Sequence, residues 1–164
     1  MPNHPCTLAP ATPADVPEIL ALIRELAEFE HLAHEAKATA ADLTTALFGP
    51  RPFAEVLMAR GGEQVSGFAL FFHNYSTFKG RPGIYLEDLY VRPAFRGQGH
   101  GKALLRRVAQ LAVERGCGRY EWSVLDWNRR AIDFYVGLGA RPMSEWQIMR
   151  VDGEALARLG RSDE

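Results

Sequence analysis

Three glycines alternate in the segment Arg96-Gly97-Gln98-Gly99-His100-Gly101, which joins an apolar run to an amphipathic one. Glycine tolerates positive φ and lets a ligand come close to the backbone. The first N–H groups of a following helix would point at this loop, and the helix dipole adds about half a positive charge there. Arg96 and Lys102 flank these donors. The segment predicts either a diphosphate-binding loop or a tight strand-to-helix turn.

The spacing of the glycines excludes two well-known phosphate-binding loops. A dinucleotide fingerprint has the spacing G-x-G-x-x-G after the first strand of a βαβ unit, whereas this chain has G-x-G-x-G after a meander. A P-loop has Ser or Thr after its lysine, but Lys102 is followed by Ala103. A different phosphate-bearing ligand is therefore expected.

Hydrophobic periodicity predicts the elements before the loop. Capping signals at Thr12-Pro13-Ala14-Asp15 begin a helix whose apolar positions continue to Ala27. A second helix is predicted over Ala40–Leu47, capped by Thr39. Three apolar runs predict a meander of strands, with a hairpin turn at Gly61-Gly62 between the first two. These runs are Phe53–Arg60, Gln64–Tyr75 and Ile84–Val91.

The elements after the loop alternate between helix and strand. In order they are a helix over Gly101–Arg115, a strand over Tyr120–Leu125, a helix from Asn128 to Leu138, a strand over Gln147–Val151 and a frayed helix over Gly153–Leu159. With a strand before the first helix, the order predicts an α/β (α+β) fold. Its central sheet is mixed and mostly antiparallel, with helices on both faces. We expect one domain over residues 1–164.

Composition restricts the partners. A net charge of -1 gives no reason to expect nucleic acid, which needs a basic face. There is no apolar run near membrane-spanning length and no visible secretory signal, so we expect a cytoplasmic protein without a membrane partner. Cys6 and Cys117 are expected to be plain small residues, and no metal is required.

The segment Val91–Gly101 resembles the acetyl-CoA signature [RQ]-x-x-G-x-[GA] of the GNAT superfamily of N-acetyltransferases. Three further segments resemble the diamine acetyltransferase (spermidine/spermine acetyltransferase) group, namely Glu25–Glu30, Tyr85–Val91 and Trp127–Tyr135. Within that group, Tyr75–Gly80 and Val124–Asn128 resemble the thialysine N-epsilon-acetyltransferase branch. The resemblance covers essentially the whole chain. It implies a GNAT-like fold, acetyl-CoA as co-substrate and a homodimer.

Acetyl transfer to an amine needs a proton acceptor and a proton donor. A lysine-like amine has a pKa near 10.4, so its neutral form at pH 7 costs about 4–5 kcal/mol. Glu87 lies inside an apolar strand, where a carboxylate faces either a cleft or solvent. The resemblance implies that Glu87 positions and deprotonates the amine. By strand alternation Asp88 points to the opposite face and is structural, unless a bulge intervenes.

Tyr135 matches the proton-donor tyrosine of the resembling family. A tyrosine with a pKa near 10 suits a departing thiolate with a pKa of about 8.5. Packing alone also explains this aromatic residue, because Ile132, Tyr135 and Leu138 recur at helical spacing. The resemblance favours the catalytic role.

The resemblance implies a set of acetyl-CoA contacts on three segments. They are Leu89, Tyr90, Val91, Arg96, Gly97, Gln98, Gly99, His100, Gly101, Lys102, Asn128, Arg129, Arg130 and Ala131. Asn128 can cap its helix and still bond the pantetheine arm, because capping uses only part of its bonding capacity.

A second set of residues matches acceptor positions of the resembling family. They are Phe29, Glu30, Ser76, Thr77, Glu87, Glu121, Trp122, Ser123, Leu125, Asp126 and Glu145. Acidic residues suit a cationic amine, although Glu121 and Glu145 also fit ordinary surface positions. Ser76 and Thr77 fit either an amino-acid head group or plain loop chemistry.

These observations together predict an acetyl-CoA-dependent N-acetyltransferase that acts by direct transfer in a ternary complex. The first candidate acceptor is thialysine or a lysine-like amino acid, and the second is a diamine or polyamine. Two other classes stay open, acetylation of a protein amine and non-catalytic sensing of an acyl-CoA.

Overall fold

The computed structural model describes residues 4–161, in two compact units that we treat separately. The first unit ends at Leu125 and the second begins at Asp126. The first unit contains, in order, β1 (Cys6–Pro10), α1 (Val16–Phe29), α2 (Ala40–Phe48), β2 (Glu55–Gly61), β3 (Gln64–Ser76), β4 (Arg81–Val91), α3 (His100–Glu114) and β5 (Arg119–Trp122). The second contains α4 (Arg129–Gly137) and α5 (Gly153–Leu159).

Both helices before the meander begin as predicted, at capping boxes. The backbone N–H of Thr12 donates to Asp15 Oδ2 over 2.8 Å, and a short 3₁₀ turn then leads into α1. The backbone N–H of Thr39 donates to Asp42 Oδ2 over 2.8 Å, while Asp42 N–H donates back to Thr39 Oγ1. These bonds satisfy N–H groups that a helix leaves open at its start.

The sheet has five strands in the order β1-β2-β3-β4-β5. The first four are antiparallel neighbours, and β5 runs parallel to β4. This arrangement confirms the predicted mixed, mostly antiparallel sheet. The predicted hairpin between β2 and β3 is also confirmed, and Gly62 has a φ of +64° there.

Helices cover both faces of this sheet. On one face, Val56, Met58 and Phe68 of the sheet form a core with α1 and α2. The intervening strand residues Leu57 and Ala59 are also buried, which places them on the opposite face. There α3 packs against the sheet with its buried side chains, which are Leu104, Leu105, Val108 and Ala112.

A β-bulge lies at Glu87 in the middle of β4. Leu70 of β3 stands opposite Asp88, and the next residue of β3, Phe71, stands opposite Leu86. Glu87 is therefore the extra residue, and alternation restarts after it. As a result Asp88 lies on the same face as Tyr90, the face that packs on α1. The bulge that would overturn the alternation prediction for Asp88 is therefore present.

The second unit begins with the predicted helix cap. Asn128 Oδ1 accepts a hydrogen bond from Ala131 N–H over 3.3 Å, and Gly139 follows α4 with a φ of +99°. Helix α5 has the predicted bounds.

The predicted strand over Gln147–Val151 is wrong. In the described part of the chain these residues form no ladder, and Ile148 and Met149 are 76% and 87% exposed. An apolar run becomes a strand only where another strand pairs with its N–H and C=O groups.

None of the helices among residues 4–161 is long and apolar enough to cross a membrane.

Candidate active site

The glycine loop has the backbone geometry that a phosphate-binding loop needs. Gly97 and Gly99 have φ values of +76° and +85°. A Cβ atom at either position would meet no protein atom within 4 Å, so these glycines are needed for φ and not for packing. Gly99 is also the N-cap of α3, so the first N–H groups of α3 face the loop.

Two polar side chains of the loop point back into the protein. His100 is only 1% exposed, with Nδ1 2.7 Å from Ser66 Oγ and Nε2 3.3 Å from the carbonyl oxygen of His4. Gln98 Nε2 donates to the carbonyl of Ala94 over 3.0 Å. These side chains therefore hold the loop in shape. Both ring nitrogens of His100 face protein atoms, so its predicted contact with a phosphate would have to use the backbone N–H.

Arg96 connects the glycine loop to the end of α1. Its Nε donates to the carbonyl of Val91 over 3.0 Å. Its guanidinium carbon lies 5.0 Å from the ring centroid of Phe29 and 5.6 Å from that of Tyr90. These are cation–π distances. A residue predicted for the cofactor thus contacts one predicted for the acceptor, within a single unit.

Strands β4 and β5 separate beside the bulge. Their pairing runs from Gly83 opposite Arg119 to Leu86 opposite Trp122. Within the described residues, the part of β4 from Glu87 onward has no partner strand on that edge. The outward backbone groups of Leu89–Val91 therefore have no strand partner on that edge in the described chain, and of these groups the carbonyl of Val91 accepts a hydrogen bond from Arg96 Nε.

A group of three carboxylates lies near the bulge. Burial raises the pKa of Asp88 to about 7, with smaller contributions from the negative charges of Glu87 and Glu30. Burial also raises the pKa of Glu30, the residue that follows α1. Glu87 itself is exposed. The sequence predicted Glu87 and Glu30 at this place but passed over Asp88, because no sequence signal marked the bulge.

The profile of the acetyltransferase (GNAT) family matches residues 19–140 of the chain. The chain belongs to this family. It is 44% identical over 160 residues to the thialysine N-epsilon-acetyltransferase of Bos taurus, an alignment that covers 91% of this chain and 94% of that protein. It is 35% identical over 194 residues to an L-ornithine N5-acetyltransferase of Arabidopsis thaliana, with coverages of 91% and 85%.

The fold also agrees with solved structures. An integron cassette protein from the mobile metagenome of V. cholerae superposes with a TM-score of 0.80 at 25% identity, covering 96% of this chain and 98% of that one. GNAT acetyltransferases use acetyl-CoA. Coenzyme A carries a diphosphate, which is the kind of group that a helix N-terminus suits.

The acetyltransferase places two of the predicted acceptor residues, one in β5 and one directly after it, beside Tyr85 on the face of Asp88. Tyr85 stands opposite Glu121, and its hydroxyl oxygen lies 2.7 Å from Ser123 Oγ. Trp122 follows the alternation to the other face, and its ring lies 4.9 Å from that of Tyr120. The three consecutive residues predicted for the acceptor thus separate onto two faces of the sheet.

Ser76 ends β3, and Thr77 begins the turn that follows it. The Ser76 hydroxyl is buried and accepts a hydrogen bond from Lys79 N–H over 3.2 Å, so it shapes the turn. Thr77 is exposed. Leu125 is half-buried at the end of the first unit.

The remaining predicted residues belong to the second unit of the acetyltransferase. Tyr135 is half-buried on α4, with its ring 5.5 Å from that of Phe134. Four predicted residues in this unit are exposed, namely Asp126, Arg129, Arg130 and Glu145. Among residues 4–161, no group of three or more His, Cys, Asp or Glu side chains is arranged to hold a metal ion.

Proposed function

We propose that this acetyltransferase transfers the acetyl group of acetyl-CoA directly to the side-chain amine of a lysine-like amino acid, with thialysine as the first candidate. The observation that carries the proposal is the bulge at Glu87, which puts Asp88 on the α1 face near Glu30. The Bos taurus and Arabidopsis thaliana relatives are named for thialysine and ornithine. Both of these acceptors are amino acids with a side-chain amine.

The donor half of the reaction depends on backbone groups. Acetyl-CoA supplies an activated thioester when bound. The N–H groups that begin α3 bind its diphosphate, with Lys102 adding charge. The unpaired edge of β4 at Leu89–Val91 orients the acyl arm. We assign further contacts to Asn128 through Ala131 from the family resemblance.

The acceptor half depends on the three carboxylates. Glu30 and Glu87 attract and position the ammonium group, and Asp88 accepts its proton. Moving a proton from an amine of pKa 10.4 to an ordinary aspartate costs about 9 kcal/mol. With the pKa of Asp88 raised to about 7, the same transfer costs about 5 kcal/mol. The environment of Asp88 therefore makes it a stronger base than an ordinary aspartate.

Tyr135 completes the reaction in this proposal by protonating the departing thiolate. The family resemblance supports this role, and the Asn128 cap fixes the start of the helix that carries the residue. A pKa near 10 makes tyrosine a suitable donor to a thiolate of pKa about 8.5.

We further propose that the two units form one domain in a cytoplasmic homodimer. The match to the family profile supports the single domain, because it crosses the boundary at Leu125. Light scattering on the purified chain tests the dimer, and a monomeric mass would refute it.

A panel of amines tests the function. The purified protein would be incubated with acetyl-CoA and thialysine, lysine, ornithine, putrescine or spermidine, and thiol release would be measured. We expect the highest kcat/KM with thialysine or lysine. Turnover confined to the polyamines would assign the chain to polyamine acetylation. A lack of turnover with any amine would favour an acyl-CoA sensor.

A further inference from the structure

A polar cluster on the face of Asp88 joins three neighbouring strands. Arg119 Nε lies 2.8 Å from Glu121 Oε1, and Asn74 Nδ2 donates to the same oxygen over 3.4 Å. Asn74 stands opposite Gly83 of β4, and Gly83 stands opposite Arg119 of β5. The Asn74 side chain therefore crosses the intervening strand to reach Glu121.

Gly83 makes this crossing possible. A Cβ atom at Gly83 would overlap Asn74 Oδ1 and press on Arg119. Asn74 Oδ1 is buried without a hydrogen-bond partner among the described residues, which is unfavourable for a polar atom. Within residues 4–161, the side-chain amide of Asn74 makes one hydrogen bond, to Glu121. Asn74 is thus placed to orient the Glu121 carboxylate.

Arg119 and Glu121 can still bind a ligand from the solvent side. The side chains of Arg119 and Glu121 are 38% and 40% exposed. Both contacts to Glu121 use Oε1, which leaves Oε2 able to accept a hydrogen bond from a cation. Arg119 engages Glu121 through Nε, and a guanidinium carries two further nitrogens that suit a carboxylate. An ammonium next to a carboxylate matches this pair, and that combination is the head group of an α-amino acid.

The distance along the sheet fits a lysine-like chain. Asp88 stands opposite Leu70, whereas Tyr85 stands opposite Phe72 and beside Glu121. Two residues along a strand are about 7 Å. Six bonds separate the two nitrogens of lysine, and an extended chain of six bonds also spans about 7 Å. An amine at Asp88 therefore puts the α-ammonium at the level of Glu121.

The surface between these two levels suits methylene groups. The rings of Phe72 and Tyr85 lie on this face with their centroids 5.4 Å apart. The Tyr85 hydroxyl is held by Ser123. An aliphatic chain laid along Tyr85 would contact ring carbon on its way from one end of the acceptor to the other.

We propose that Glu121 and Arg119 bind the α-ammonium and α-carboxylate of the acceptor, with Asn74 positioning Glu121. This proposal rests on the proposed function and deepens it, since it assigns Arg119 to the α-carboxylate and Asn74 to the positioning of Glu121. It also explains how a diamine of similar length would be disfavoured, because a diamine has no carboxylate for Arg119.

Three acceptors that differ by one group test the proposal. Lysine carries both head groups, cadaverine lacks the carboxylate and 6-aminohexanoate lacks the α-amine. We expect Arg119→Gln to lower kcat/KM at least tenfold for lysine and 6-aminohexanoate. The same variant should change kcat/KM for cadaverine less than threefold. We expect Glu121→Gln to lower it at least tenfold for lysine and cadaverine while sparing 6-aminohexanoate.

Two controls separate this subsite from general damage. Arg107→Gln removes an arginine that pairs with Glu114 on α3. It should leave kcat/KM unchanged for all three acceptors. Asn74→Ala and Gly83→Ala should each raise the KM for lysine with little change in kcat, and their combination should add no further loss. Circular dichroism would confirm that each variant is folded.

The outcomes distinguish this inference from the proposed function. If the unchanged enzyme acetylates lysine, but the Arg119 and Glu121 variants affect the three acceptors equally, the subsite is refuted and the function stands. Equal kcat/KM for cadaverine and lysine in the unchanged enzyme would also refute the role of Arg119. If the enzyme acetylates none of these amines, nor thialysine, the function itself fails.

Discussion

Arg92 binds Glu25 through both carboxylate oxygens, and this contact fixes α1 to the end of β4. Arg92 Nε lies 3.1 Å from each oxygen, and one terminal nitrogen lies 2.8 Å from Oε1. The other terminal nitrogen donates to Glu18 over 2.6 Å and to the carbonyl of Val65. The end of α1 carries residues that we propose for the acceptor, and the end of β4 leads into the glycine loop that we propose for acetyl-CoA. Arg92 therefore links these two segments of the first unit.

Arg92→Met should destabilise the protein by about 1–2 kcal/mol, between the values of exposed and buried ion pairs, because the pair is half-buried. The loss would leave Glu18 and Glu25 close together without a cation. Urea unfolding measures the change. In a double-mutant cycle with Glu25→Gln, the coupling energy should approach 1 kcal/mol, and a coupling near zero would contradict the link.

Gly99→Ala should raise the KM for acetyl-CoA by at least tenfold. The substitution adds a methyl group to the loop and forces a non-glycine residue to a φ of +85°. The matched control is Gly116→Ala, at the other end of α3, where φ is +70° and the space for a Cβ is also open. Both variants should lose about 1–2 kcal/mol of stability from the backbone strain. Only Gly99→Ala should weaken the binding of acetyl-CoA. Steady-state kinetics with varied acetyl-CoA would measure this difference.

The sequence predicted those parts of the molecule that local chemistry determines. Thr39 and Asn128 have the side chains that cap helices, and both do so. The meander followed from strand-length apolar runs and a glycine turn. The glycine loop followed because positive φ is a property of single residues.

The parts that the sequence did not predict depend on pairing between distant segments. The bulge at Glu87 exists only relative to β3, so alternation along β4 alone assigned Asp88 to the wrong face. The buried pair of His100 with Ser66 joins residues 34 apart. The apolar run at Gln147–Val151 predicted a strand, but no pairing strand accompanies it in the described chain. In each case the missing information was the identity of the neighbour.

Asp88→Asn should change the pH profile of acetyl transfer near neutrality. With a pKa of about 7, Asp88 gains its charge as pH rises through 7, so kcat/KM should increase from pH 6 and level off above pH 7 in the unchanged enzyme. The Asn variant should lose about 10²-fold or more of the rate, and its residual kcat/KM should follow the neutral fraction of an amine of pKa near 10.4, which keeps rising through pH 8. Glu87→Gln serves as the comparison, and it should weaken amine binding while preserving the levelling above pH 7. A levelling near pH 7 that survives in Asp88→Asn would remove Asp88 from the role of base.

The same residue should also leave a signature in stability. The folded pKa of Asp88 lies above the ordinary unfolded value, so the folded protein binds more protons between about pH 4 and 7. The free energy of unfolding should therefore decrease as pH rises through that range and level off above pH 7. Relative to Asp88→Asn, the unchanged protein should lose about 1–3 kcal/mol across this window. Urea unfolding at pH 5 and pH 8 measures the difference, and a difference of the opposite sign would contradict the raised pKa.

Tyr135→Phe should reduce kcat by 10²- to 10⁴-fold, the usual contribution of a positioned proton donor, while the affinity for acetyl-CoA stays within about threefold. The substitution keeps the aromatic ring beside Phe134 and removes only the hydroxyl, so α4 should remain folded. Its control is Phe134→Leu, which alters the neighbouring ring and spares the hydroxyl, and which should reduce kcat far less. Rapid-quench kinetics would separate acetyl transfer from product release. If Tyr135→Phe turned over at the unchanged rate, the leaving thiolate would have to obtain its proton from water, and the acid in the mechanism would be solvent.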